Sequence, residues 1–266
     1  MTVATTAAAG FRTDTTGTTR WIVADNRDRL NAYTTAMWVE LPGLIRAAEQ
    51  DARIRVIVLT GAGERAFSAG ADITEFDKID PHEQARRNDN NDYSAFGVLA
   101  ACSKPTIAMI HGICYGGGCE LAVCCDFRIA ATTAAFCIPP ARLGIGYNAR
   151  WIRPLLQVVS GAVAKDMLFT GRRYDAQAAL RIGLVGEVVA PADLRGAAEA
   201  LAATLAENAP LSILAAKRAI EALSHPDGAV DMAALDALVH ACFASQDYAE
   251  GRRAFKEKRR PRFEGR

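Results

Sequence analysis

The chain has little histidine, four residues in 266, and no two of them stand at metal-ligand spacing. Its seven cysteines follow no zinc pattern, and two of them, Cys124 and Cys125, are adjacent. An odd set of thiols without a framework reads as free cysteines in a reducing cytosol. No apolar run reaches the roughly 18 residues that a membrane span needs, so the expectation is a cytoplasmic protein with no membrane partner. Net charge is nearly absent: 31 Lys and Arg stand against 30 Asp and Glu. Bulk charge therefore points to no polyanionic partner, and no nucleic acid is expected. No Gly-Lys-Ser/Thr follows either glycine cluster, which excludes a P-loop. The first residues, MTVATTAAAGF, lack the basic start and apolar stretch of a signal peptide and read as a frayed tail.

What is present is an ordinary globular composition, half apolar and 23% charged. The length suits one large domain, or one domain with a small appendage. Trp21 to Ala24 reads as a short strand, and the stretch from Leu30 to Asp51 as a helix that Pro42 breaks or kinks. VIVLTG at 56–61, Pro105–Ile110 and Phe127–Ala131 are apolar runs of strand length, the pattern of strands buried on both faces. Gly118–Cys125 reads as a helix, and Thr74–Asp92 as a loop or short-helix region. Strands alternating with helices indicate an α/β protein. Beyond about Asp193 the strand signals stop, and 193–222 and 229–258 read as helical. The division this suggests is an α/β core over 1–195 and a helical C-terminal region over 196–266.

Gly61, Gly63 and Ala66 imitate a dinucleotide-binding turn. The helix and the second strand ending in an acid that such a turn requires do not follow.

The informative features are two glycine-rich turns, each after an apolar strand: AFSAGADI at 66–73 and YGGGCEL at 115–121. On parallel neighbours, both would lie at the carboxyl ends of the strands, where open α/β sheets bind ligands. Glycine lets backbone approach a ligand closely, and the first N–H groups of a helix lack internal partners. Two such turns can aim one N–H each at a single oxygen, which makes an oxyanion hole.

The two turns, in this order, resemble the signature segments of the crotonase (enoyl-CoA hydratase/isomerase) superfamily. DRLNAYT, LFTGRRYDAQAALRIGLVGEVV and YAEGRRAFKEKRRPRF resemble further segments of it, so the likeness runs from about residue 20 to the end. The resemblance implies a core of stacked ββα turns with a helical C-terminal region, assembled as a homotrimer or hexamer. It implies that the N–H groups of Ala71 and Gly117 hold a CoA thioester carbonyl. Ala69, Gly70, Asp72 and Ile73 would lie along the CoA channel, and Phe255 and Lys258 would help cover the CoA, often from a neighbouring subunit. No metal and no cofactor beyond the CoA moiety of the acyl-CoA substrate is implied. Glu120 is either an acid placed in a first helical turn by the helix dipole or, by the resemblance, a catalytic carboxylate. Burial beside an apolar pocket would raise its pKa towards neutrality. Cys114, Cys119 and Cys137 read as small buried fillers. The tail GRRAFKEKRRPRF suits a solvated helix end, a nucleic-acid patch or a cover for the CoA phosphates.

One segment departs from the pattern. Hydratases of the superfamily carry a second glutamate in a segment resembling F-G-Q-P-E, and the matching stretch here is FCIPPARLGIGYN, with Pro140 at the glutamate's place. Proline can neither donate nor accept a proton, so the usual water-activating pair is broken. The same place carries the base in one branch of enoyl-CoA isomerases. PARLGIGYN resembles instead the methylmalonyl-CoA decarboxylase-like members, with Leu143, Gly144, Tyr147 and Asn148. Tyr147 is then either an acid or orienting group, or packing at the pocket wall. The first expectation is a lyase that hydrates 2-enoyl-CoA, with Glu120 as acid and base and Tyr147 or Asp166 positioning water. Decarboxylation of a branched malonyl-CoA, isomerisation, and a non-enzymatic RNA-binding role are the alternatives.

Overall fold

The computed structural model describes residues 9–78, 95–224 and 230–266. Its central strands alternate between two sheets. β1 (Gly10–Thr16) and β2 (Thr19–Asp25) form an antiparallel hairpin, followed by α1 (Thr35–Gln50). β3 (Val56–Gly61) belongs to the first sheet and β4 (Ala66–Ser68) to the second. After α2 (Ala95–Ala100), the step repeats with β5 (Thr106–Ile110), β6 (Ile113–Tyr115) and α3 (Gly117–Cys124). It repeats again with β7 (Phe127–Ala131), β8 (Ala135–Cys137), α4 (Pro140–Leu143), α5 (Ala149–Val158) and α6 (Gly161–Thr170). β9 (Tyr174–Asp175), α7 (Ala176–Arg181) and β10 (Glu187–Val189) complete the sheets. The first sheet has the order β1-β2-β3-β5-β7-β10, and the second β4-β6-β8-β9. Each turn of this spiral thus supplies one strand to each sheet.

The apolar runs are explained by burial on both faces of the first sheet. Ile57, Leu59, Ala108 and Ile110 face the core between sheets and helices, while Val56, Val58, Ile107 and Met109 face the other way. That outer face is covered by Leu194, Ala198 and Ala202 of α8 (Leu194–Glu207). A boundary at 195/196 therefore falls inside a helix that completes the core. α9 (Pro210–Leu223), α10 (Met232–Ala244) and α11 (Gln246–Glu257) follow. No described helix is long and apolar enough to cross a membrane.

Three expectations need correction. The N-terminal tail does not fray through Phe11: Gly10 and Phe11 open β1 and pair with Asp25 and Ala24. The helix starts at Thr35 rather than Leu30, because Leu30 and Asn31 have φ of 53° and 54°, in the left-handed region. Thr34 then caps it, its Oγ1 accepting from the N–H of Met37. Pro42 does not end the helix, which runs on to Gln50 with Met37, Leu41, Pro42, Ile45 and Ala48 buried; tertiary packing outweighs the missing hydrogen bond. The loop expected at 74–92 lies mostly outside the described residues. Its start, Ile73–Lys78, is a 3-10 turn.

Candidate active site

The two glycine turns meet. β3 pairs with β5 and β4 with β6, both in parallel, so the chain leaves β4 and β6 on the same side. A Cβ on Gly70 would lie 3.1 Å from the Gly117 nitrogen and 2.9 Å from the Tyr115 oxygen. Gly70 has φ of +93°, and its N–H donates to Ser68 Oγ at 3.1 Å. Only glycine allows both the angle and the approach.

The amide of Ala71 is aimed by its neighbours. Tyr33 bridges Ala71 in parallel: the Tyr33 N–H donates to Gly70 O at 2.7 Å, and the Asp72 N–H donates to Tyr33 O at 2.9 Å. Successive N–H groups of extended chain alternate sides, so that of Ala71 points away from Tyr33. Gly117 is the first residue of α3, and a first-turn N–H has no partner within its helix.

The rest of YGGGCEL serves the same turn. Gly116 takes φ 51° and ψ −126°, which side chains rarely adopt. A Cβ at 117 would come within 3.1 Å of the Trp38 ring, and one at 118 within 2.7 Å of Ser68.

Glu120 lies one turn into α3 with 0% of its surface exposed. Its Oε2 accepts from the Tyr147 hydroxyl at 3.0 Å. Its Oε1 is buried with no hydrogen-bond partner. Burial pushes the carboxyl up to about 8, against the opposing pull of the Tyr147 hydrogen bond. Burial also raises Tyr147, with the Glu120 carboxylate adding to the shift.

The structure thus brings together Ala71, Gly117, Glu120 and Tyr147. Ala69 and Asp72 belong to the first turn: the Ala69 N–H donates to Leu30 O at 3.0 Å, and Asp72 Oδ1 accepts from Thr74 N–H and Oγ1. Ile73 stands out into solvent, 66% exposed. Phe255, 86% exposed, and Lys258 sit at the far end of α11. No described hydrogen bond, ion pair or ring contact joins them to Ala69–Ile73. Asp166 is not brought to Glu120: its carboxylate pairs with Arg172 at 2.5 Å and accepts from the Tyr174 hydroxyl. The tail arginines are also engaged, Arg253 and Arg259 with Glu250, Arg260 with Glu207 and Arg266 with Glu264. Pro140 opens α4 and is buried, three residues past the β8 end, where Cys137 O accepts from the Gly116 N–H.

Two features escape sequence reasoning. Asn31 is buried, and its Nδ2 donates to Ala62 O at 3.0 Å and Ala66 O at 2.6 Å. It staples the link from β3 to β4 and so supports the first turn. The second is a run of aromatic rings, Tyr33–Trp38–Phe96–Trp151–Tyr147, with centroids 4.8–5.8 Å apart. Two of the chain's three tryptophans lie in it, the single hint the sequence offers.

A family model described as enoyl-CoA hydratase/isomerase matches residues 17–266. The chain belongs to that family. Family membership makes it an enzyme of the lyase class. Among relatives of this enoyl-CoA hydratase/isomerase family member, the short-chain-enoyl-CoA hydratase of Clostridium acetobutylicum is 35% identical over 90% of this chain and 92% of its own. The crotonyl-CoA hydratase of Syntrophomonas wolfei is 35% identical over 88% and 90%. An enoyl-CoA hydratase/isomerase family structure from Hyphomonas neptunium superposes with a TM-score of 0.90 at 34% identity, covering 96% of this chain and 98% of that one. The fold of the family member is accordingly the crotonase fold.

Proposed function

We propose that the protein adds water to a 2-enoyl-CoA, giving the 3-hydroxyacyl-CoA, with Glu120 as its single carboxyl catalyst. One observation carries this reading: Glu120 is buried, has one oxygen on Tyr147 and the other unpartnered, and stands one turn after Gly117. The N–H groups of Ala71 and Gly117 would hold the thioester oxygen. Negative charge reaching that oxygen is then stabilised by donors fixed before the reaction.

The missing second glutamate is compensated through Tyr147. Near neutral pH Glu120 is protonated. Water oxygen bonds to the β-carbon, and the electron pair of the double bond moves to the thioester oxygen as an enolate. The carboxyl at Oε1 delivers its proton to the α-carbon. The water proton passes to the Tyr147 oxygen, whose own proton moves to Oε2. Every proton lost by Glu120 returns to it, so one carboxyl suffices. The likeness to enoyl-CoA hydratases and the Tyr147–Glu120 contact support this route. It needs no metal and no cofactor beyond the CoA of the substrate.

Phe255 and Lys258 would reach the CoA of a neighbouring copy in a trimer or hexamer. The 86% exposure of Phe255 accords with that, as do exposed apolar residues such as Phe169, Ile220 and Phe243. The division into an α/β core and a helical C-terminal part would follow this work, one holding the thioester and the other the assembly. Seven unpaired thiols accord with a reducing compartment.

The test is turnover of crotonyl-CoA, followed by loss of its enoyl absorbance. Glu120→Gln should lower kcat by at least about 10²–10⁴, the span of general acid–base catalysis. Hydration that survives Glu120→Gln would overturn the mechanism. Release of CO₂ from methylmalonyl-CoA without any hydration would replace it with decarboxylation, which forms the same enolate. Pro140 and the Tyr147 segment are what favour that second reading.

A further inference from the structure

The aromatic rings are tied to the site at both ends. Trp38 lies against Gly117, where a Cβ would come within 3.1 Å of its ring, and Phe96 would be 3.8 Å from the same point. At the other end, the Tyr147 hydroxyl is 3.0 Å from Glu120 Oε2. Between them Trp38, Phe96, Trp151 and Tyr147 touch in sequence at 5.3, 5.8 and 5.3 Å. Gly117 and Glu120 share one turn of α3. The contacts therefore close into a loop: α3 forms one side, and four rings from α1, α2 and α5 and the segment before it form the other.

None of these four rings is buried outright; all are half-buried. Their planes are tilted by 53–72°, and two of the three contacts are edge to face, while each of the four residues keeps part of its surface exposed. A pocket for a straight acyl chain needs only aliphatic side chains. Aromatic faces carry partial negative charge and favour the positive edge or offset face of another ring, beyond what area burial supplies. An acyl chain whose carbonyl lies at Ala71 and Gly117, and whose α-carbon lies at Glu120, starts between the two points where these rings touch the site, Gly117 and Glu120.

We infer that the enoyl substrate carries a flat aromatic group on its β-carbon, a 3-arylpropenoyl thioester, which packs among Trp38, Phe96 and Trp151. This rests on the hydration reading, since it uses the same carbonyl and α-carbon positions, but binding can be measured without turnover.

The experiment uses the full-length Glu120→Gln protein, which holds substrate without converting it. Calorimetric titration compares 3-phenylpropenoyl-CoA with 3-cyclohexylpropenoyl-CoA, a thioester of similar size without the aromatic ring. The phenyl compound should bind about tenfold more tightly, the effect of roughly one good aromatic contact. Adding Trp151→Leu or Phe96→Leu should bring the ratio close to one. Equal affinities, or tighter binding of the cyclohexyl compound, would overturn the inference. Should a leucine variant fail to fold, the ratio in Glu120→Gln alone decides. A phenyl preference in a protein that hydrates neither 3-phenylpropenoyl-CoA nor crotonyl-CoA would leave this inference standing and remove the hydration reading.

Discussion

At the scale of single residues, Glu120 and Tyr147 make one titrating unit. Hydration by a protonated Glu120 requires kcat/KM to fall as pH rises through about 8, where burial sets the carboxyl. The Tyr147 hydrogen bond favours the ionised form, so it holds that value down. Tyr147→Phe should therefore move the alkaline limb to higher pH while lowering kcat by about 10²-fold through loss of the relay. A pH–rate profile reads both. An unmoved limb would show that the two groups do not communicate.

The same burial has a stability cost with a definite sign. Between the ordinary carboxyl value of 4.5 and about 8, the unfolded chain ionises Glu120 while the folded chain keeps it protonated. The folded state then binds more protons, so stability declines as pH rises through that window and levels off above it. Glu120→Gln removes the titration. Relative to wild type, the variant should gain stability from pH 5 to 8, by up to about 3 kcal/mol near pH 7. Tm measured across that range for both proteins checks it; parallel curves would refute it. Such a site trades stability for function.

At the scale of elements, the glycine turns were legible in sequence because their chemistry is local. Gly70 and Gly116 need their φ values, and Gly117 and Gly118 need their close neighbours; each requirement leaves a glycine in a fixed order behind an apolar strand. The strands were legible because both faces of the first sheet are covered. The hairpin partner of β2 was not, since β1 is an edge strand of mostly exposed residues, GFRTDTT, with no apolar alternation. The aromatic loop was hard to see for another reason: Trp38, Phe96 and the Tyr147–Trp151 pair lie far apart in the chain, and only the spiral of ββα turns gathers them. The Leu30–Asn31 turn shows the limit of periodicity, because its apolar pattern fits a helix that its left-handed backbone forbids. Substitution separates these kinds of glycine. Gly118→Ala puts a methyl 2.7 Å from Ser68, so α3 must shift against β4. Overpacking of that kind costs about 1–3 kcal/mol, and a 1 Å displacement of the Gly117 amide is enough for about a 10²-fold loss in kcat. Gly43→Ala, in mid-helix with no atom near its Cβ, should instead stabilise the protein by up to about 1 kcal/mol. Denaturant melts and crotonyl-CoA kinetics on the two variants would test the contrast.

At the scale of the whole molecule, the question is whether the C-terminal helices form a separate folding unit. α8 is part of the sheet's outer core, and the next helix is fastened to the sheet by charge. Lys217 of α9 is buried and donates to Asp126 Oδ2 at 2.8 Å, beside β7. The same Asp126 oxygen accepts from Thr106 N–H and Oγ1 at the start of β5. One carboxylate thus joins two central strands to the C-terminal region. Arg55, just before β3, reaches further and donates to Phe263 O at 2.9 Å. The chain should therefore unfold in one transition, with core and C-terminal helices lost together. Lys217→Met breaks the buried pair. Its cost should be about 2 kcal/mol, below the roughly 3–5 kcal/mol of a fully buried broken pair, because Asp126 keeps Thr106 and some access to water. In urea melts followed by both far-ultraviolet dichroism and tryptophan fluorescence, the two signals should stay coincident in wild type and move together in the variant. Separation of the helical signal from that of the three tryptophans, all of which precede α8, would mean that α9 to α11 fold on their own, and that the pair is a surface clamp rather than part of a single cooperative structure.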